Sequence, residues 1–371
     1  MAFRIEAKDP SGARAGVLDT PRGPVETPVF MPVATQASVK ALDSDDLRRL
    51  GSRAMLANSY HLYLRPGVDT VKAAGGLHKF MDHDAFYITD SGGFQVLSLS
   101  KFREIDDEGV TFRSHLDGSL HRLTPESVIR VQAALGSDGW TTLDECPPFP
   151  CEEPHAARAL DRTMRWLDRS APVVAEERAA GAQSLFFPIL QGSLFPALRR
   201  RAAEHMNGAP ADGVSIGGFM VGENKETTWN VLAETVSFLK EDRPRYLMGV
   251  GTPRDLWDAV ACGVDMMDCV YPTRVARSGQ IMARTGRYNV TNGRFRRDFT
   301  PLDPSCSCFV CARYTRAYLG HLLRCKELSA YRLLSYHNLH FMAATVSEIR
   351  ASIKEGRFRA AREEFFARYP L

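Results

Sequence analysis

Nowhere does this sequence run about 18 apolar residues together, the length a membrane-spanning helix requires. Its opening residues, Met1-Ala-Phe-Arg-Ile-Glu6, lack the basic and then apolar layout of a secretory leader. The expectation is a cytoplasmic protein with no membrane partner. Internal repeats and low-complexity tracts are also missing, which excludes solenoid and linker-like architectures. Excess charge of either sign is small overall: the net charge is +3 across 371 residues, so the total says little about partners. With 44% apolar and 25% charged residues, the composition is that of a globular chain able to bury a substantial core.

Two local imbalances stand out against that background. Between Arg274 and Arg297 there is no Asp or Glu, yet there are seven arginines (Arg274, Arg277, Arg284, Arg287, Arg294, Arg296, Arg297). Such a stretch suits phosphate contact, the alternative being a solvated face balanced by acids elsewhere in the fold. Cysteine is sparse, at eight residues, but three of them fall within Cys306-Ser-Cys308-Phe-Val-Cys311. In a reducing compartment, thiolates packed this tightly suit one soft tetrahedral cation, most often zinc, rather than disulfides among themselves. A fourth ligand is needed, and the downstream sequence offers His321, Cys325, His337 and His340.

Short β-rich runs recur along the chain, separated by helical patterns. The runs are Pro28–Val33, Arg53–Asn58, Phe86–Thr89, Trp140–Leu143, Leu185–Leu190, Gly213–Ile216, Tyr246–Val250 and Asp265–Val270. Helical patterns cover Ser44–Leu50, Pro125–Leu135, Pro154–Ala180, Pro196–Met206, Lys225–Leu239 and Pro253–Cys262, several opening with proline at the first turn. Eight β-then-α units predict an α/β fold: a TIM-type (β/α)8 barrel of parallel strands with helices outside. A doubly wound open sheet is the alternative, but the first strand is followed by Ala34-Thr35-Gln36-Ala37-Ser38, not by a glycine-rich phosphate loop. The gap after the third strand holds alternating residues around Asp117-Gly118, which predicts a hairpin insertion. The chain thus reads as a single barrel domain, 1–371, with an arginine-rich and zinc-binding subdomain over 274–340 near its C-terminal end. The tail, Ser347–Phe366, has the pattern of an amphipathic surface helix.

Active sites of such barrels lie at the C-terminal ends of the strands. There the sequence places Asp90, Asp144 and Asp268, together with Gln191 and the pair Gly217-Gly218. Two carboxylates facing one substrate suit glycosidic chemistry, one as nucleophile and one as general acid and base. A third carboxylate with an amide can hydrogen-bond a nucleobase edge, and adjacent glycines let backbone approach a flat ligand. Any one of these aspartates could instead cap the next helix. Three at one mouth favour chemistry.

These motifs resemble those of the bacterial-type tRNA-guanine transglycosylases, also called queuine tRNA-ribosyltransferases. The resemblance runs through Thr89-Asp90-Ser91-Gly92-Gly93-Phe94-Gln95, Asp144-Glu145-Cys146, Gln191-Gly192-Ser193, Gly217-Gly218 with Val221-Gly222-Glu223, Met248-Gly249-Val250-Gly251, Asp268-Cys269-Val270 with Pro272-Thr273-Arg274, and the cysteine cluster with His337. It spans nearly the whole chain in order. It implies exchange of the wobble guanine of a G-U-N tRNA anticodon loop (Asp, Asn, His and Tyr tRNAs) for a 7-deazaguanine base, as a step in making queuosine, with no ATP or redox cofactor. Asp268 would be the nucleophile and Asp90 the general acid and base. Asp144, Gln191, Gly217 and Gly218 would bind the base, supported by Ser91 and Cys146, with Phe94 and Met248 sandwiching it. Arg274 and Arg277 would read neighbouring nucleotides. Cys306, Cys308, Cys311 and His337 would hold one structural zinc per chain, in a subdomain that helps build a homodimer through Tyr314, Tyr318 and His321.

One segment departs from the family pattern. Where bacterial members usually read Gly-Gly-Leu-Ala-Val-Gly-Glu, this chain has Gly217-Gly218-Phe219-Met220-Val221-Gly222-Glu223, with two bulkier residues. Val221 and Cys146 still favour 7-aminomethyl-7-deazaguanine over queuine. Two other functions fit parts of the sequence: a non-enzymatic zinc RNA-binding subunit, and a glycosidase acting on a nucleoside or sugar. Retention of all three aspartates argues against the first, and the arginine stretch against the second.

Overall fold

A computed structural model describes residues 3–99 and 102–369. Eight parallel strands close into a barrel. The first strand is made of two segments, Val29–Met31 and Val33–Ala34, on either side of Pro32. Proline has no N–H to give to the ladder, and the strand changes partner there. Val29–Met31 pairs with the eighth strand, Met266–Asp268, and Val33–Ala34 with the second, Ala54–Ala57. The fifth strand is divided the same way around Pro188. Leu185–Phe186 pairs with the fourth strand, Gly139–Trp140, and Ile189–Leu190 with the sixth, Val214–Ile216. Both prolines keep their carbonyls in use, accepting from Leu56 N at 3.1 Å and Ser215 N at 3.0 Å. The third strand, Phe86–Thr89, and the seventh, Arg245–Leu247, complete the circuit. The expected (β/α)8 barrel is present, with strands one to three residues shorter than most of the β-rich runs that mark them.

The outer helices follow the proline-led starts. Pro125–Leu135 spans its expected residues, its N-terminus closed by a reciprocal Thr124–Ser127 capping pair. Glu153–Ala179, Pro196–Gly208, Lys225–Ser237 and Pro253–Ala261 match to within one or two residues at each end. The insertion after the third strand is larger than a hairpin. Gly109–Arg113 and Leu120–Leu123 pair around Asp117-Gly118 as expected, and a further strand, Arg103–Asp106, adds to the other edge of Gly109–Arg113.

Two elements differ from expectation. An antiparallel sheet of Phe3–Lys8, Arg14–Thr20 and Gly23–Thr27 precedes the barrel. Its Phe3, Leu18 and Val25 pack among Ala54, Phe86 and Met266 at the strand starts, so it plugs the barrel's N-terminal end. A buried ion pair anchors it: Arg14 bonds Asp265 through Nε at 2.8 Å and Nη2 at 2.6 Å. The tail is not one surface helix over Ser347–Phe366. Helix Leu328–Lys354 is buried along much of its length and packs against the plug sheet and the first strand. Gly356, at φ +68°, ends it before Phe358–Arg368. Between the barrel's last short helix, Tyr271–Arg277, and the long helix lie a hairpin (Gln280–Ala283 with Gly286–Asn289) and helices Phe309–Arg313 and Arg316–Arg324. No helix among the described residues is long and apolar enough to cross a membrane.

Candidate active site

A cavity of about 370 Å³ opens at the C-terminal ends of the strands, within the size range of small-molecule sites. Asp90, Ser91, Phe94, Asp144, Cys146, Gln191, Gly217, Gly218, Met248, Asp268 and Arg274 all line it. Of the residues singled out for substrate or RNA, only Arg277 lies off the wall.

Each carboxylate is buried and held by a different set of donors. Asp90 follows the third strand and accepts from Ser59 N at 2.9 Å and from the Asn58 side chain, both just beyond the second strand. Asp144 accepts from Gln191 Nε2 at 2.7 Å and Ser91 Oγ at 3.2 Å. Asp268 ends the eighth strand and accepts on Oδ1 from Tyr246 OH at 2.6 Å and Gly249 N at 3.1 Å. No other residue bonds its Oδ2 among the described residues. Burial pushes Asp90 up to about 7, the Ser59 N–H opposing and the Asp268 charge adding to the rise. Burial likewise raises Asp144 to about 6, against the bonds from Gln191 and Ser91, and raises Asp268 against the bonds from Tyr246 and Gly249. Three carboxylates with raised values in one cleft mark a functional site rather than a set of helix caps.

Aromatic, thioether and cationic groups edge the mouth. Phe94 is 51% exposed, and Met248 is partly buried on the seventh strand's exit. Arg274 is exposed, and none of the seven arginines of the acid-free stretch makes an ion pair among the described residues. Among the described residues their charge is therefore left without close acidic partners. Arg277 is half-buried, its Nη1 donating to Thr273 O at 2.9 Å.

The cysteine cluster lies in the region after the barrel. One ligand atom each from Cys306, Cys308, Cys311 and His337 falls within 4.8 Å of the others. His337 Nδ1 stands 3.8, 3.6 and 3.3 Å from the three sulfurs, close to the edges of about 3.5 Å that a small tetrahedral ion with metal–sulfur bonds near 2.3 Å requires. The other ring nitrogen, Nε2, is engaged by Met282 O at 2.8 Å, which leaves Nδ1 to face the sulfurs. Backbone N–H groups of Cys308 and Cys311 point at the sulfurs of Cys306 and Cys308, at 3.5 and 3.4 Å. The residues present therefore fit a bound metal ion. Cys325 is exposed beside His321 and away from the cluster, and His340 approaches only Cys306, at 3.6 Å.

Comparison with known proteins agrees along the full chain. The family model described as queuine tRNA-ribosyltransferase matches residues 9–371. The chain belongs to the queuine tRNA-ribosyltransferase family. It is 48% identical over 366 residues to the queuine tRNA-ribosyltransferase of Desulforamulus reducens, covering 98% of both chains. It is 49% identical over 357 residues to that of Halothermothrix orenii, covering 96% of this chain and 94% of the relative. With the Bacillus subtilis protein it shares 48% over 359 residues, covering 97% and 93%.

For this queuine tRNA-ribosyltransferase family member, the structure adds residues that the sequence did not single out. Asn58 and Tyr246 hold Asp90 and Asp268, yet as lone polar residues they read equally well as a helix cap and a core tyrosine. The bulky pair in the departing segment is also accommodated. Phe219 is buried with its ring 3.9 Å from the Arg199 guanidinium, and Met220 sits at φ +61° with its N–H and that of Val221 both donating to Glu223.

The raised value of Asp144 makes a stability prediction. The folded carboxyl titrates at about 6, above its unfolded 3.8, so the ionised form destabilises the fold fully above pH 6 and not at all below 3.8. Two pH units correspond to about 3 kcal/mol. Asparagine can accept from Gln191 and donate to the rotatable Ser91 hydroxyl. Thermal melts should therefore show Asp144→Asn to be several degrees more stable than the parent at pH 8, with the gap closing by pH 4. A mutant no more stable at pH 8 contradicts the buried charge.

Proposed function

We propose that this chain exchanges the wobble guanine of G-U-N anticodon tRNAs for 7-aminomethyl-7-deazaguanine through a covalent ribosyl-aspartate intermediate, in queuosine biosynthesis. The observation that carries this is the pairing of Asp268 and Asp90 across one cavity, one with an oxygen left unbonded, the other raised to about 7 where it can both give and take a proton near neutral pH. The target nucleotide must leave its stack to reach these groups. An Asp268 oxygen attacks C1′ of the ribose, the C1′–N9 bond breaks, and guanine departs as Asp90 protonates it. Asp90 then removes a proton from the incoming base, whose nitrogen attacks C1′ and frees the Asp268 carboxylate. Each displacement inverts the sugar carbon, so the product keeps the original configuration. One glycosidic bond replaces another.

Asp144, the second N–H of Gln191 and the Gly217-Gly218 backbone supply acceptors and donors for the base edge. Ser91 braces Asp144, Cys146 lines the wall, and Phe94 and Met248 cover the base faces. Val221 and Cys146 on that wall suit the smaller base, and Phe219 and Met220 line the same cavity, the Phe219 ring stacked on Arg199. Guanine exchange into tRNA compared for 7-aminomethyl-7-deazaguanine and queuine tests the base assignment. Competition by queuine as strong as by the smaller base would contradict it.

Arg274, exposed at the cavity rim and unpaired among the described residues, contacts a phosphate or base of the anticodon loop, with Arg277 behind it. Arg274→Ala should raise the KM for tRNA about tenfold, leave that for the base unchanged, and reduce the salt slope of binding by roughly one. An unchanged slope removes Arg274 from the interface.

Three thiolates and an imidazole make zinc the fitting ion, structural rather than catalytic because the cluster stands apart from the carboxylates. It would hold 274–340 as a subdomain of the single barrel domain, 1–371, whose ends at 1–2 and 370–371 lie outside the described residues. Tyr314 and Tyr318 stack at 5.7 Å on this subdomain, with Tyr318 46% exposed and His321 nearby, a surface suited to a homodimer contact. A cytoplasmic location fits an enzyme acting on tRNA.

A further inference from the structure

Arg199 has no part in the family's motifs as read above, yet it lies beneath the pocket just described. It is fully buried on helix Pro196–Gly208, and no carboxylate forms an ion pair with it among the described residues. A desolvated cation without a counter-ion is a poor choice for stability alone. Its donors go instead to the cavity wall. Nε donates to Ser193 O at 2.8 Å, and Nη1 to Gly217 O at 2.8 Å and to Leu190 O at 3.4 Å. The Phe219 ring covers its face at 3.9 Å.

The remaining nitrogen, Nη2, has no partner among the described residues, and neither has Gln191 Oε1, although both are buried. The two converge on one point: a Cβ on Gly218 would stand 2.4 Å from Gln191 Oε1 and 3.1 Å from Arg199 Nη2. Gln191's other terminus, Nε2, bonds Asp144. The amide thus donates to a carboxylate at one end, while its unbonded oxygen and the unbonded guanidinium nitrogen both stand against Gly218.

We propose that Arg199 is a positioning residue for the incoming base, its planar fork fixing the Gly217-Gly218 turn and the backbone on either side of Gln191 through the Gly217, Leu190 and Ser193 carbonyls. The inference rests on the base-exchange reading above. It also gives the bulky Phe219 a task, since its ring confines the guanidinium to this geometry.

The test uses the full-length enzyme, with guanine and tRNA as probes. Arg199→Met should raise the KM for guanine about tenfold while the KM for tRNA stays within twofold, and Arg199→Lys, which keeps the charge but not the fork, should recover part of the loss. An arginine that merely supports the fold would lower the melting temperature and the active fraction and leave both KM values alone, and that outcome overturns the proposal. So does a parallel rise of both KM values. If Arg199→Met does not fold, Arg199→Lys and Phe219→Leu decide: each should raise the guanine KM about threefold with tRNA unaffected, and parental values in both overturn it. Failure of the parent enzyme to exchange guanine would instead refute the base-exchange reading itself.

Discussion

Replacing Asp268 by asparagine should lower guanine exchange into tRNA by about four orders of magnitude or more while leaving a well-folded protein. Asparagine keeps an oxygen where Tyr246 and Gly249 donate, so both hydrogen bonds to that position can survive. What disappears is the negative oxygen that, in the proposed mechanism, bonds to the ribose carbon. Removing a buried charge whose ionisation is already disfavoured will not cost stability, so melting should hold or rise. The two readouts moving in opposite directions separate a lost nucleophile from a damaged fold. Exchange within tenfold of the parent would remove Asp268 from the mechanism.

Stripping the metal should be the largest blow to stability. The cluster ties Cys306, Cys308 and Cys311 to His337 on the long helix, and His337 in turn to Met282 on the hairpin. Cys308 also caps the short helix Phe309–Arg313 by accepting from Cys311 N. Metal binding of this kind is folding free energy, on the order of 10 kcal/mol in isolated zinc-held units. Elemental analysis should find one zinc per chain. Cys308→Ser or strong chelation should abolish it, lower the melting temperature by on the order of 10 °C, and weaken any dimer that rests on Tyr314 and Tyr318. Exchange chemistry should fail only as far as the fold does, because no ligand of the cluster lines the cavity. A metal-free protein that melts at the parental temperature rules out a structural metal at this cluster.

Several features of the fold were legible because single residues decide them. Proline at a helix's first turn marked Pro125–Leu135 to the residue, and Asp117-Gly118 marked the insertion's turn. The strand ends were legible because strand-end carboxylates stand out against short apolar runs. Other features depend on partners far away in the chain. The plug sheet alternates polar and apolar residues over short stretches, and only its packing against the strand starts reveals why Phe3, Leu18 and Val25 are inward. The tail's break comes from Gly356, easily passed over between two amphipathic stretches. Spacing could not choose among the downstream cysteine and histidines as a fourth metal ligand. His337 is placed by a helix that begins 17 residues after Cys311 and by the Met282 carbonyl that takes up its second nitrogen. Asn58, Tyr246 and Arg199 were illegible for the same reason: each is an isolated polar residue until the barrel closes around a carboxylate or an amide.

In the proposed mechanism an aspartate carries the ribose between two bases. This is tested most directly by incubating the enzyme with end-labelled G-U-N tRNA and resolving the mixture under denaturing conditions. The expected result is a labelled RNA–protein band that withstands denaturation, is absent with Asp268→Asn, and is discharged by added 7-aminomethyl-7-deazaguanine. Full exchange activity with no such band, or a band of equal strength from Asp268→Asn, would contradict it.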